Sequence, residues 1–468
     1  MAEVNREMKS RAKSGDQQVG EDRNPELRSH AMLAAVDQCI DVGIPPLPDP
    51  LRGKLDPSAR LVHLSEGDRQ NRGAAPLTEQ TLRRNPQMDV LRGLAILMVV
   101  GAHLKLDRPA GGLIGKVADL WHEYGGFGVP LFFILSGFLI GGLLLTELRK
   151  HGQISIAHFL IRRGLKIYPP YYVFLAYLLV MPLLKAMLSG HDVGKVALTL
   201  FVEYWPNVVF LQNYIGPDPA GHTWSLSVEE HFYFLLPFMI VGLVAVKRTR
   251  FLVPICLLSP ALFTAVRGVS AYLGDPYLWN VDQTMAATHL RLDGLLFGVG
   301  LRSLAEFRPD LFAALRRWRP AWFAIAALLF YPHSRMLLLG LPIDRVLPLS
   351  TLAASAVFVG LYHTHARDFG RLAFYVRSFG SPVAHAGVYS YSIYLWHVTV
   401  IGIIEKVIAR LPLQRGDPLA WLFSATVISL CVVVAGMAAS RIVEWPLLRM
   451  RDRLFPSRSS FVPSGQRA

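Results

Sequence analysis

The stretch that decides the fold is FGVPLFFILSGFLIGG, residues 127–142, which contains no charged side chain. The apolar run around it extends over 124–146. A helix of this length crosses a hydrocarbon layer of about 30 Å, whereas runs of about 10–14 residues are more typical of buried helices in soluble proteins. The run therefore predicts a transmembrane helix.

Apolar runs of similar length recur along the chain from residue 86 onward. Each is long enough to cross a bilayer as a helix, and their number predicts an all-α, polytopic membrane bundle of about ten transmembrane helices. The predicted spans lie near 88–106, 124–146, 167–188, 229–246, 251–270, 286–303, 320–339, 346–362, 387–409 and 419–440.

Composition and charge agree with a membrane protein. Of the 468 residues, 52% are hydrophobic and 18% are charged, whereas soluble proteins carry about 25% charged residues. There are 48 Lys and Arg residues against 34 Asp and Glu, a net charge of +14. This excess lies in the loops between apolar runs, as in the cytoplasmic loops of membrane proteins, so we expect no nucleic-acid partner. Three cysteines provide neither a disulfide framework nor a zinc site, and we predict no metal.

The charge pattern also predicts the orientation. Residues 1–85 are polar and rich in proline, contain no secretory signal, and are predicted to be a disordered cytoplasmic tail. The membrane domain then covers 86–450, and 451–468 is a short cytoplasmic tail, so both termini are expected in the cytoplasm. Lys and Arg alternate between loops as the positive-inside rule requires only if 193–213 does not cross. We interpret that stretch as re-entrant or interfacial.

The first predicted span carries two polar side chains at membrane depth, Arg92 and His103. Such residues are costly in a bilayer and are candidates for function. They are eleven residues apart, so both project from one helix face at about 16 Å along the axis. On spacing alone, an Arg that reaches the headgroups and a His bonded to a carbonyl explain them equally well.

Two further clusters lie in the second and third spans. Ser136 is surrounded by glycines, which favours close helix packing over nucleophilic chemistry because no base is adjacent in sequence. Arg163 and Lys166, one turn apart, could bind phosphates at the inner surface. Anchoring by the positive-inside rule is the simpler explanation for these two cations.

The remaining polar clusters lie in the fourth, sixth and ninth spans. Glu229 and Glu230 follow Trp224 and precede Tyr233, which makes an acceptor or acid/base site plausible at the outer side. An interfacial helix start explains part of that pattern. Arg291 and Asp293 of the sixth span could neutralise each other as an ion pair. Tyr394 and His397 of the ninth span could belong to an interfacial belt or to a functional site.

In this order, the motifs resemble acyltransferase family 3, the integral-membrane acyltransferases that include O-antigen and exopolysaccharide O-acetylases. The resemblance spans roughly residues 86–450 and is specific as an ordered set. It is carried by the following pieces: Asp89, Leu91, Arg92, Gly93, Ala95 and His103; VPLFFILSGFLI at 129–140; Arg163 with KIYP at 166–169; WSLSVEE at 224–230 with Phe232 and Tyr233; RLD at 291–293 with Gly298; and SIYLWH at 392–397.

The resemblance implies transfer of an acyl group, most often acetyl, from cytoplasmic acyl-CoA to a sugar hydroxyl, in a bacterial inner-membrane protein without a permanently bound cofactor. His103 is the expected base or acyl relay, and Arg92 orients the thioester or the CoA phosphate. Arg163 and Lys166 gather CoA, while Glu229 or Glu230 binds or deprotonates the acceptor. The other expected substrate-binding residues are Ser136, Trp224, Tyr233, Arg291, Asp293, Tyr394 and His397.

The sequence departs from the family pattern in three respects. Lys166 stands where a second Arg is usual, which removes a bidentate phosphate grip, and His231 stands where Gln is frequent. The hydrolase-like domain common outside the membrane is not present in this sequence, so we expect the acceptor to meet the membrane domain directly.

Two other functions remain open from the sequence. A small metabolite such as a macrolide could be the acceptor, or succinyl the acyl group. A transporter would also explain intramembrane charges, although transporters often show two matching halves and this sequence shows no such repeat.

Overall fold

The computed structural model describes residues 86–215, 219–274, 287–338 and 343–459. The predicted tail 1–85 lies outside the described residues. Within these ranges the regular structure is entirely helical and contains no strand. The helices are α1 Pro86–His103, α2 Gly112–Gly125, α3 Gly128–His151, α4 Ile156–Leu188, α5 Val193–Val208, α6 Trp224–Ala245, α7 Leu252–Leu257, α8 Ser259–Tyr272, α9 Thr288–Arg291, α10 Asp293–Phe307, α11 Pro309–Ala314, α12 Arg319–Leu338, α13 Ile343–Tyr362, α14 Ala373–Val388, α15 Ser390–Ile408, α16 Pro418–Ala439 and α17 Trp445–Leu454.

The prediction of ten spans is not confirmed. In the described ranges, five helices are long and apolar enough to cross a membrane. A sixth is added if the segment containing α7 and α8, bent by 63°, counts as one span. The predicted runs lie largely on helices, but 251–270 is divided between α7 and α8, and the described part of 286–303 is divided between α9 and α10. The five helices that are long and apolar enough to cross a membrane are Gly128–His151, Ile156–Leu188, Gly221–Ala245, Ser390–Ile408 and Pro418–Leu454.

For two of the predicted spans the difference has a physical cause. The 18 residues of α1 include Asp89, Arg92 and His103, which lower its mean hydropathy. Helix α10 has 15 residues, roughly 22 Å, which is short of the hydrocarbon thickness. Its side chains Leu295 and Val299 are fully buried. An apolar run can thus be buried by protein as well as by lipid, and sequence hydropathy does not separate the two.

The stretch 193–213, expected not to cross, forms the 16-residue helix α5 and a following loop. This helix is not among the candidate spans. Asn207 near the end of the helix, and Gln212 and Asn213 in the loop, are buried amides, and the side-chain amide of Asn213 donates to Thr288 at 2.8 Å. The re-entrant or interfacial placement remains a prediction.

Glycines set the closest helix contacts. A Cβ on Gly137 of α3 would overlap the backbone carbonyl of Leu295 in α10, and one on Gly298 would overlap that of Ile134. Gly93 of α1 and Gly387 of α14 make the equivalent approach between those two helices. Backbones can approach this closely only where no side chain intervenes. The glycines around Ser136 therefore act in packing.

Replacing Gly137 with Ala is expected to destabilise the fold by about 1–3 kcal/mol, because α3 and α10 must separate to admit the methyl group. The measurement is thermal unfolding of the purified protein in detergent. Gly402→Ala is the matched control, since that site in α15 has open space around it and Ala is the better helix former. Equal unfolding temperatures for the two variants would contradict this packing account.

The chain after α16 returns to the start of α4. Asp452 accepts from Arg162 at 3.0 Å, and the carbonyl of Phe455 also accepts from Arg162. Arg458 pairs with Glu147 at 2.8 Å. The contacts of Arg162 hold the first turns of α4, which carry Arg163 and Lys166, and the pair with Glu147 holds the end of α3.

Candidate active site

A cavity of about 320 Å³ lies between α1, α3, α4, α6, α14 and α15. The structure brings eight of the thirteen predicted site residues to its wall, although they come from separate parts of the sequence. They are Arg92, Ser136, Arg163, Lys166, Glu229, Glu230, Tyr233 and Tyr394. His103, Trp224, Arg291, Asp293 and His397 do not line it.

One hydrogen-bonded chain crosses the cavity wall from α3 to α6. The Tyr233 hydroxyl donates to Oε2 of Glu229 at 3.0 Å, so the Ser136 hydroxyl, at 2.7 Å, donates to Tyr233. The guanidinium of Arg163 lies 6.0 Å from the centre of the Tyr233 ring. Ser136 is therefore a donor within a network, and the two glutamates share the cavity with the cations instead of forming a separate outer site.

Glu444 also lines this cavity, and sequence reasoning missed it. It is 6% exposed, and its Oε2 accepts from Ser392 at 2.9 Å and from Ser440 at 2.8 Å. The π-helical turn Ser440–Glu444 places Ser440 and Glu444 together, and such turns are frequent at functional sites. The signal was available: Glu444 is a lone carboxylate just beyond the last apolar run.

His103 and His397 meet outside the cavity. Their rings make an edge contact with centroids 4.8 Å apart, and the ring of His222 lies 5.0 Å from that of His397. We call His103, His222 and His397 the histidine cluster. His222 was not among the predicted site residues. In the described ranges, no three His, Cys, Asp or Glu side chains are arranged to hold a metal ion.

Tyr394 connects the cluster to the cavity. Its hydroxyl donates to the His222 carbonyl at 2.5 Å, and Ser225 contacts the same hydroxyl at 2.7 Å. Both Tyr394 and Ser225 line the cavity. Helix α1 is unbroken from Arg92 to His103, so its one face extends from the cavity to the cluster, about 16 Å along the axis.

The three remaining predicted site residues have structural contacts. Asp293 pairs with Arg267 at 3.4 Å and accepts from Thr351 at 2.9 Å. The guanidinium of Arg291 lies 5.0 Å from the centre of the Trp224 ring. Asp293 is thus held by a cation from α8, which the sequence alone did not indicate as its partner.

The comparison with known families covers both the cavity and the cluster. The acyltransferase family 3 model, described as an acyltransferase domain, matches residues 85–438. This chain belongs to that family. The resemblance predicted from the sequence motifs is confirmed, and nearly all the residues around the cavity lie within the matched range.

Several curated proteins resemble this family member along most of its length. OatA of Listeria monocytogenes, named peptidoglycan O-acetyltransferase, is 27% identical over 336 residues, 69% of this chain and 50% of OatA. YrhL of Bacillus subtilis, named as a candidate peptidoglycan O-acetyltransferase, is 28% identical over 399 residues, 81% of this chain and 57% of YrhL. SAR0937 of Staphylococcus aureus, a candidate O-acetyltransferase by name, is 25% identical over 408 residues, which are 82% of this chain and 60% of SAR0937.

This family member therefore spans about half to three fifths of the length of these curated relatives. No solved structure matches it significantly.

Proposed function

We propose that this chain is a membrane O-acyltransferase that moves an acetyl group from cytoplasmic acetyl-CoA to a hydroxyl of a cell-envelope or secreted glycan. The observation that carries the proposal is the cavity, which combines three cations with an extended apolar wall and meets the histidine cluster at Tyr394. The names of OatA and YrhL support a glycan acceptor and O-acetylation.

The donor end of the cavity is the one with the cations. Arg163 and Lys166 lie in the first turns of α4, and Arg92 lies in the first half of α1. The positive-inside pattern puts these segments toward the cytoplasm. Cations at such a site attract the phosphates of CoA, and the apolar wall accommodates the acyl arm. The thioester then extends toward Tyr394.

The proposed acceptor site is at the histidine cluster, which lies outside the cavity and contacts it through Tyr394. A hydroxyl is a weak nucleophile until a base removes its proton, and His is suited to that at neutral pH. His103 is half-buried, and its Nδ1 donates to the Val99 carbonyl at 2.8 Å. Its Nε2 is therefore the nitrogen that can accept the hydroxyl proton. Tyr394 and Ser225 line the cavity, and the Tyr394 hydroxyl contacts His222, so these two side chains lie between the donor cavity and the histidine cluster.

The donor half of this proposal predicts that Arg163→Gln combined with Lys166→Gln weakens acetyl-CoA binding by at least tenfold. Hydrogen bonds to charged groups are worth about 1.5–3 kcal/mol each. The measurement is equilibrium binding of radiolabelled acetyl-CoA to the purified protein.

The matched control is Lys247→Gln combined with Arg248→Gln, which removes two cations just beyond α6 and away from the cavity wall. Comparable affinities for the two double variants would refute the donor site, provided that both proteins unfold at similar temperatures.

A further inference from the structure

The proposed function gives no role to His222 and His397, although both belong to the histidine cluster. That function uses His103 as the base, yet the three rings form a continuous row, His103 to His397 to His222. They come from α1, α15 and the short turn before α6. His397 is fully buried, and among the residues that the structure describes its Nε2 has no hydrogen-bond partner. A buried nitrogen without a partner is costly and calls for an explanation.

Backbone carbonyls determine which nitrogen of each ring is free. Nδ1 of His103 lies 2.8 Å from the Val99 carbonyl, and Nδ1 of His397 lies 2.6 Å from the Tyr394 carbonyl. Nε2 of His222 lies 3.1 Å from the Leu395 carbonyl. A carbonyl oxygen only accepts, so each of these nitrogens carries a proton. In the neutral rings, the acceptors are Nε2 of His103, Nε2 of His397 and Nδ1 of His222.

Three rings in contact, each with one acceptor nitrogen, suit a mobile proton. Rings with centroids 4.8 and 5.0 Å apart can bring facing nitrogens to roughly 3 Å, which is hydrogen-bond distance. One proton added to the row turns an acceptor into a donor to the next ring. The transfer uses only the acceptor nitrogens, so the proton on each carbonyl-bonded nitrogen stays in place.

We propose that His397 and His222 form a proton relay behind His103. The inference rests on the proposed function, because the hydroxyl of the acceptor supplies the proton. As the hydroxyl oxygen bonds to the acyl carbon and the C–S bond breaks, the proton passes to Nε2 of His103. It then moves to Nε2 of His397, to Nδ1 of His222 and to water at the half-buried His222. The CoA thiolate takes its proton from cytoplasmic water.

His397 acts through His103 and is thus a positioning residue, which the variant His397→Gln tests. Gln can still donate to the Tyr394 carbonyl but cannot carry the proton. We expect kcat to fall at least tenfold, acetyl-CoA affinity to stay within twofold, and the solvent deuterium isotope effect on kcat to rise. The control is His385→Gln, an exposed histidine of α14 outside the cluster. Wild-type kcat in His397→Gln, or a lower kcat with an unchanged isotope effect, would overturn the relay.

A second measurement decides the inference even if the protein transfers no acetyl group. Nitrogen-15 NMR of histidine-labelled protein, with signals assigned by single His→Gln variants, reports which ring nitrogen is protonated. We expect Nδ1–H at His103 and His397 and Nε2–H at His222, with the His103 signal shifted by His397→Gln. The opposite tautomer at His103 or His397, or an unshifted His103 signal, would overturn the relay. Absence of transfer by the wild type, with the expected tautomers, would count against the proposed function alone.

Discussion

Acyl transfer is expected to fall at least a hundredfold when His103 is replaced by Ala, since general-base catalysis contributes about 10²- to 10⁴-fold. His103 is the last residue of α1 and belongs to the histidine cluster, and its Nδ1 is bonded to the Val99 carbonyl, which leaves Nε2 to accept the proton. Acetyl-CoA binding should be retained, because the cations Arg163 and Lys166 line the cavity and His103 does not. The measurement is the rate of label transfer from radiolabelled acetyl-CoA at matched expression.

The control for this prediction is His122→Ala. His122 is an exposed histidine of α2, the helix that follows α1. Transfer by this variant should equal that of the wild type. If His103→Ala transfers acetyl as fast as His122→Ala, then His103 is not the base.

The largest loss of stability is expected for Arg267→Ala. Arg267 is 1% exposed, donates to the Leu290 carbonyl at 2.7 Å and pairs with Asp293 at 3.4 Å. Its removal leaves Asp293 as a buried charge that still accepts from Thr351 and from the amide of Gly294 but has lost the paired cation. Breaking a buried pair in this way costs about 3–5 kcal/mol. Thermal unfolding in detergent should therefore shift strongly downward, with low yield in membranes.

The exposed ion pair of Arg308 and Asp310 provides the comparison. The two side chains are 59% and 63% exposed, and such pairs contribute about 0–1 kcal/mol. Arg308→Ala should thus unfold near the wild-type temperature. An Arg267→Ala protein as stable as Arg308→Ala would show that Asp293 is stabilised by its other contacts.

Much of the architecture followed from the lengths of the apolar runs. Long apolar runs such as 124–146 and 419–440 coincide with α3 and α16, because a uniformly apolar segment of that length has no alternative to a helix in lipid. The lengths of the apolar runs did not predict the number of spans. Helix α10 is apolar because α3 packs against it through Gly137 and Gly298. The hydropathy of a segment buried in protein does not differ from that of a segment in lipid, so it does not identify a span.

The sequence predicted many of the residues of the site but not how they are arranged in space. Arg92, Glu229 and Glu230 stood out because polar groups are costly within an apolar segment, and all three line the cavity. The contact between His103 and His397 joins residues about 300 positions apart, which no local spacing encodes. Glu444 lies just beyond the predicted span 419–440, so the sequence offered it as a lone carboxylate but gave no sign that the π-helical turn buries it in the cavity wall.

The central claim is acetyl transfer from the cytoplasmic face to a glycan. Its most direct test supplies radiolabelled acetyl-CoA to sealed inverted membrane vesicles that contain the native acceptor and, separately, to sealed right-side-out vesicles. We expect the glycan fraction to be labelled in the inverted vesicles with the wild type, and neither with His103→Ala nor in right-side-out vesicles. Absence of label in the glycan fraction of wild-type inverted vesicles would contradict the account.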